Sequence, residues 1–431
     1  MNVLVLTPWY PVRAGETEGL FVKQQSDALA GAGCKVVAIS PRPRWLPVPG
    51  NRGSYWRNSA GLPQHTVVDG IDVYLPRYTI LPRQIGWYGV GASCFRSMRR
   101  LLEGLNRQHG FDVVLGHEFL PVGLSLSYLK RIVRRPIAFT VHGQNAAVGR
   151  FLGKSQGAVI KSKMWESVDQ VIAVGSPLLG WLESLGAHRS QIKVIPNGVG
   201  RIEGSPQFPD DYVERYRNKR VILSVSNLFG TKGIDLNIRA LRSLKDDGFE
   251  NLHYIVIGEG PCRSELTRLT TELGLKDSVT FLGRLPRKET LAYMNACELF
   301  SLPSWQEAFG IVYVEAMALA KPAIGCLGQG ASDIITNGKD GLLVEPQNLE
   351  SLTAGLRSIL DRPGLAAQLG AAASKRARRF SWERNAQAYI ELFEAMSPAD
   401  RERCTGAPAD GESDTRSSIK RAPAPEQLIL N

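Results

Sequence analysis

No two cysteines in this sequence are spaced to share a zinc ion or a redox motif. Cys34, Cys94, Cys262, Cys297, Cys326 and Cys404 stand singly, without a C-x-x-C pair, and no histidine lies at zinc-ligand spacing from them. Unpaired thiols of this kind fit a reducing compartment. Apolar runs are short, none approaching the roughly 20 residues that a membrane-spanning helix needs. The opening MNVLVLTPWYP lacks a basic n-region and a cleavage site and reads as a core strand, so the expectation is a cytoplasmic protein. No complete G-x-G-x-x-G follows the first strand, which argues against a dinucleotide oxidoreductase. No D-x-D is present to hold a divalent metal under a nucleotide diphosphate, so neither metal nor other cofactor is expected. No recognised nucleic-acid-binding motif occurs, and no nucleic-acid partner is expected.

What is present is an ordinary globular balance over 431 residues, 43% hydrophobic and 22% charged. That length favours two domains sharing a cleft. The formal charge of +11 is uneven, with 23 Lys+Arg against 11 Asp+Glu in residues 1–200 and 29 against 30 in the remainder. An excess confined to one half suggests that this half meets something anionic, such as acidic lipid headgroups, a phosphorylated lipid acceptor or an acidic polysaccharide.

Short apolar runs alternate with amphipathic helical patterns, the signature of β/α units whose parallel sheets are covered on both faces. In the first series Val3–Leu6, Val36–Ile39, Val113–Leu115, Ile137–Val141, Val171–Val174 and Val194–Ile195 read as strands, with helices at Gln24–Ala32 and Val122–Val133. A second series has strands at Val221–Val225, Tyr254–Ile257, Val279–Leu282, Leu299–Leu302, Ala323–Ile324 and Leu342–Val344, and helices at Ile234–Leu244, Leu266–Leu273 and Val312–Leu319. The reading is a Rossmann-like domain over 1–196, hinged at Pro196-Asn197-Gly198 to a similar one over 197–380. A helix within 381–396 would cross back to the first, and 397–431, rich in Asp, Glu, Arg, Pro and Ser, is expected to be a disordered tail.

Residues 41–66 break the pattern. Trp45, Tyr55 and Trp56 interleave there with Arg42, Arg44, Arg52 and Arg57, a mixture that suits a membrane interface or a sugar-phosphate acceptor as well as a plain surface loop. Trp45 and Trp56 are candidate acceptor contacts. A helical stripe of Cys94, Phe95, Met98, Leu101, Leu102 and Leu105 reads as core, leaving Arg96, Arg99 and Arg100 facing outward.

The densest chemistry lies in Glu307-Ala308-Phe309-Gly310-Ile311-Val312-Tyr313-Val314-Glu315, after a strand and a Pro303-Ser304 turn. Gly310 lets a ligand approach the backbone, and the free N–H groups of a helix start favour anionic or oxygen-rich groups. Glu315, about a turn and a half further on, can accept hydrogen bonds from a diol. Two glutamates eight apart are also common on exposed surfaces. The segment Glu307–Ala316, with Gly19-Leu20-Phe21-Val22, Thr140-Val141-His142-Gly143, Ile195-Pro196-Asn197-Gly198-Val199, Lys232-Gly233 and Gly258-Glu259-Gly260-Pro261, resembles glycosyltransferase family 4, over nearly the whole chain except the tail.

That resemblance implies a GT-B α/β fold, two Rossmann-like domains facing across a cleft, and retaining transfer of a sugar from a nucleotide-diphosphate donor. It is similar to branches that build cell-surface polysaccharides. It assigns Glu307 to the donor sugar and Glu315 to the ribose, within a donor loop that includes Phe309, Gly310 and Ile311. Gly19 matches the glycine loop over the donor phosphates, and Lys232 the lysine that meets the diphosphate. His142 would face the donor sugar, though a histidine satisfied in a core is the competing reading. His117, at another strand end, is a looser candidate near the acceptor. Two positions depart from the family pattern. Asn227 stands where arginine is common, read as a changed donor contact or as a cause of reduced activity, and Asp333 stands where glutamate is usual. The implied mechanism is same-face attack in which the leaving phosphate takes the acceptor proton, with no protein nucleophile. The acceptor is expected to be a saccharide or lipid-linked saccharide presented at the inner face of the cell membrane. Two alternatives share the architecture: a catalytically degenerate sugar-nucleotide-binding scaffold and a nucleotide-sugar epimerase.

Overall fold

A computed structural model describes residues 1–13, 16, 18–44, 61–79, 87–144, 149, 155–202, 206, 212–362 and 364–396. Trp45, Trp56 and the expected tail from 397 onward lie outside them. The N-terminal half contributes β1 (Asn2–Leu6), β2 (Lys35–Ile39), β3 (Arg42–Arg44), β4 (His65–Val68), β5 (Ile71–Tyr74), β6 (Arg77–Thr79), β7 (Val113–His117), β8 (Ile137–Val141), β9 (Gln170–Ala173) and β10 (Ile192–Val194). Eight of them form one sheet in the order β10-β9-β8-β7-β1-β2-β5-β4, while β3 pairs with β6 alone. The strands β7 and β8 are buried along their whole length, as expected when helices cover both faces of a parallel sheet. Among the described residues only β4 runs antiparallel, closing a hairpin on β5 with Val68 opposite Ile71. Asp69 (φ 47°) and Gly70 (φ 84°) make its two-residue turn, for which Asp-Gly is a favoured pair.

The C-terminal half has β11 (Arg220–Val225), β12 (Leu252–Ile257), β13 (Val279–Gly283), β14 (Leu299–Ser301), β15 (Ala323–Cys326) and β16 (Gly341–Val344). They pair in the order β13-β12-β11-β14-β15-β16, parallel throughout. In each sheet the strand order reverses beside the first strand of the half, β1 or β11. That reversal opens a crevice at the carboxyl ends of the strands, where open α/β sheets bind ligands.

After the second sheet the chain returns to the first. The Trp382–Ala395 helix, capped by the Ser381 side chain accepting from the Arg384 N–H, packs against the Leu20–Gly31 helix. Tyr389, Leu392, Phe393 and Met396 join Val3, Val5 and Leu29 in one buried cluster. Polar contacts fix the angle: Asn385 Nδ2 donates to the Pro196 carbonyl at 2.7 Å and Gln25 Nε2 donates to Asn385 Oδ1 at 2.7 Å. The Thr140 and Tyr389 hydroxyls meet at 2.9 Å. A Cβ on Gly198 would lie 2.5 Å from the Trp382 backbone, so that position admits only glycine.

Candidate active site

The two crevices face each other, and the halves touch beside the Glu307 loop. Ser176, following β9, donates its N–H to Asp333 Oδ2 at 2.6 Å and its hydroxyl to Asp333 Oδ1 at 2.7 Å. A Cβ on Gly175 would sit 1.9 Å from the Ala308 carbonyl oxygen.

From the N-terminal side come the ends of β7 and β8. His142 is half-buried, with its ring 4.3 Å from that of Phe21, and its Nε2 lies 2.9 Å from His117 Nδ1. His117 is fully buried. The sequence puts it near the acceptor; the structure buries it completely, with its Nδ1 against His142. Desolvation lowers the His117 pKa to about 3, and desolvation together with the neighbouring His117 holds His142 well below the usual histidine range. The pair is therefore neutral near pH 7. Gly19 caps the Leu20–Gly31 helix at φ 76°, where a Cβ would lie 2.2 Å from the Trp9 carbonyl oxygen; a side chain there would displace the loop.

From the C-terminal side, Lys232 Nζ donates to Glu307 Oε2 at 2.7 Å, both side chains largely buried. The two line a cavity of about 260 Å³ with His142, Gln144 and Gln329. Arg287 donates twice to Glu315 Oε1, at 2.8 and 3.1 Å. Burial raises the Glu315 pKa and Arg287 works against that rise. Gly310, at φ 92°, starts the Ile311–Ala318 helix; a Cβ there would strike the Tyr313 ring at 2.4 Å. Ile311 is half-buried at that helix start. The Phe309 ring is buried against Phe380, 5.8 Å between centroids, so it anchors the loop through packing. Gly330 N–H donates to the Glu307 carbonyl at 2.9 Å and stitches this loop to the next. Asn227, exposed after β11, lines a separate cavity of about 530 Å³ with Glu18 and Arg284.

Of the sequence-predicted residues, His142, Lys232 and Glu307 line one cavity and Asn227 lines the other, whereas Gly19, Gly310 and Glu315 are in the lining of neither. Three others emerge only in three dimensions, and Asp333, already singled out as an aspartate where glutamate is usual, finds its partner Ser176 there. Arg287, Ser176 and Asp333 are far from their partners along the chain. Glu118 directly follows His117 at φ 66° and ψ 144°, an uncommon backbone for a non-glycine residue, and desolvation raises its pKa to about 7. A half-buried glutamate next in sequence to His117 could have been sought in the Gly116-His117-Glu118 strand end. Among the described residues, no group of three or more His, Cys, Asp or Glu side chains is gathered as metal ligands would be.

Two Rossmann-like halves closing on such a cleft are the GT-B architecture, and known structures share it. A sucrose-phosphate synthase from Thermosynechococcus elongatus superposes with a TM-score of 0.67 at 22% identity, over 92% of this chain and 100% of that one. HepE from Anabaena, solved in complex with UDP-glucose, gives 0.65 at 20% identity, over 92% and 100%. The family model described as Glycosyltransferase Family 4 matches residues 19–200, and that described as Glycosyl transferases group 1 matches 211–376. Together they span most of the chain, which belongs to glycosyltransferase family 4 and is a glycosyltransferase. The putative teichuronic acid biosynthesis glycosyltransferase TuaC of Bacillus subtilis is 26% identical over 83% of this chain and 88% of its own length. The glycogen synthase of Mycobacterium tuberculosis is 26% identical over 93% and 96%.

Proposed function

We propose that this glycosyltransferase moves a sugar, with retention and without a metal ion, from a nucleotide-diphosphate donor to a saccharide or lipid-linked saccharide in cell-surface polysaccharide assembly. The observation that carries the donor half is the Lys232–Glu307 pair at the cleft. A diphosphate competes for Lys232, meeting the charge that grows on the leaving group. Glu307, released from that pair, can then accept hydrogen bonds from the donor sugar. Glu315, steadied by Arg287, accepts from the ribose diol, and His142, uncharged, donates to a sugar oxygen without adding positive charge beside an oxocarbenium-like centre. The leaving phosphate takes the acceptor proton, so no protein nucleophile is assigned.

Two names among the relatives support the finer reading: TuaC, named for teichuronic acid biosynthesis, and HepE, which binds UDP-glucose. A uridine donor and an anionic or lipid-linked polysaccharide acceptor are the corresponding proposals. The Trp87–His109 and Leu124–Val133 helices pack together; the first exposes Arg96, Arg99 and Arg100, and Arg131, Arg134 and Arg135 are exposed at the end of the second. They are the surface proposed to meet anionic lipid at the inner face of the membrane.

The test is a transfer assay with UDP-, GDP-, ADP- and dTDP-sugars over a panel of acceptors, in EDTA, reading nucleoside diphosphate release. One donor should turn over, and Lys232→Ala should slow it roughly a hundredfold or more. Donor binding without turnover on any acceptor would favour a degenerate scaffold, and activity abolished by EDTA would end the metal-free reading.

A further inference from the structure

The cations around the cleft are unequally committed. Lys232 is held by Glu307 and Arg287 by Glu315, so each pair brings little net positive charge to an incoming ligand. Arg42, on the N-terminal side, is buried and held by the carbonyls of Pro8 and Tyr10. Arg284 is different. It is exposed and makes no hydrogen bond or close ion pair among the described residues, yet it lines the cavity of about 530 Å³ between the halves with Glu18, Ser226, Asn227, Gly258 and Val312.

Backbone geometry puts it there. The Gly258 N–H donates to the Gly283 carbonyl at 2.7 Å, tying the ends of β12 and β13 together. Gly258, at φ 137°, approaches the Ser226 carbonyl so closely that a Cβ would lie 1.8 Å from it. The ends of β11, β12 and β13 therefore converge on one wall, with Asn227 and Arg284 both on it. Asn227 is neutral, so Arg284 supplies that wall's positive charge. The Glu18 carboxyl on the opposite wall is raised by burial and lowered by the charges of Arg42 and Arg284, which puts the Arg284 field across the cavity.

We propose that Arg284 is a cation that binds the donor diphosphate from the β13 side of this cavity. This rests on the donor reading above. A guanidinium suits the task, because its planar fork can donate to two phosphate oxygens at once and its charge is permanent. No hydrogen bond or close ion pair of Arg284 among the described residues has to be broken when the ligand arrives.

The experiment is calorimetric titration of wild type, Arg284→Ala and the double variant Arg284→Ala/Asn227→Arg with UDP, GDP, ADP and dTDP and with the matching nucleosides. For whichever diphosphate the wild type binds, Arg284→Ala should weaken affinity about tenfold or more, the scale of a hydrogen bond to a charged group. Nucleoside affinity should stay within about twofold, since the neutral base and ribose do not use the charge. Restoring a guanidinium on the same wall through Asn227→Arg should recover part of the loss. Unchanged diphosphate binding, an equal loss for the nucleoside, or no recovery in the double variant would overturn the assignment while leaving the donor reading intact. A wild type that binds none of the four diphosphates would sink the donor reading and this assignment with it.

Discussion

Glu118 holds its carboxyl in a desolvated position directly beyond the paired histidines, and burial moves its pKa from 4.5 to about 7. A raised carboxyl pKa means the folded state prefers the protonated form, so the stabilisation is full below about pH 4.5 and is lost as pH rises through about 7. The shift corresponds to at most about 3 kcal/mol. Glu118→Gln, which keeps the shape and removes the titration, should melt increasingly above wild type as pH climbs from 5 to 8 and match it near pH 4.5. A constant gap in thermal unfolding across that range would show that the carboxyl is not desolvated as described. His117 and His142 titrate with the opposite sense: their lowered pKa values make the fold lose stability as pH falls below the ordinary histidine range.

The donor loop is an element whose shape depends on one glycine. With φ at 92° and the Tyr313 ring where a Cβ would go, Gly310→Ala must shift the start of the Ile311–Ala318 helix. We expect the donor dissociation constant to rise about tenfold or more, since misplacing a ligand-positioning group is costly, alongside a stability loss of about 1–3 kcal/mol. Titration and chemical denaturation measure the two, and unaltered donor affinity would show that the helix start does not contact the donor. Elements of this kind were legible in the sequence wherever one strand–helix unit carried the signal. The core strands and the Trp382–Ala395 helix follow from apolar periodicity, and the Glu307–Glu315 spacing follows from a single loop and helix. The β4–β5 hairpin was missed although Val68-Asp69-Gly70-Ile71 carries its turn signal, because the expected irregular stretch ran over its start. Pairings were not legible, since Lys232–Glu307 and Ser176–Asp333 join residues 75 and 157 positions apart, and periodicity says nothing about which strand ends will face each other.

At the scale of the whole molecule, the charge asymmetry becomes a question of orientation. The exposed arginines of the Trp87–His109 and Leu124–Val133 helices lie on the N-terminal half, and no helix among the described residues is long and apolar enough to cross a membrane. A contact between these arginines and anionic headgroups would be electrostatic. The protein should therefore float with vesicles containing anionic lipid at low ionic strength and be released as salt shortens the screening length. Equal recovery with neutral vesicles, or none with anionic ones at low salt, would rule the surface out. The returning helix carries a different consequence, one for biosynthesis. Because Tyr389, Leu392, Phe393 and Met396 complete the packing around Val3 and Val5, the first half to leave the ribosome must wait, its apolar face uncovered, until the second half has been made. The order of synthesis and the order of completion are thus reversed in this chain, and a stalled or truncated product would leave the earliest-made sheet as its exposed, aggregation-prone part.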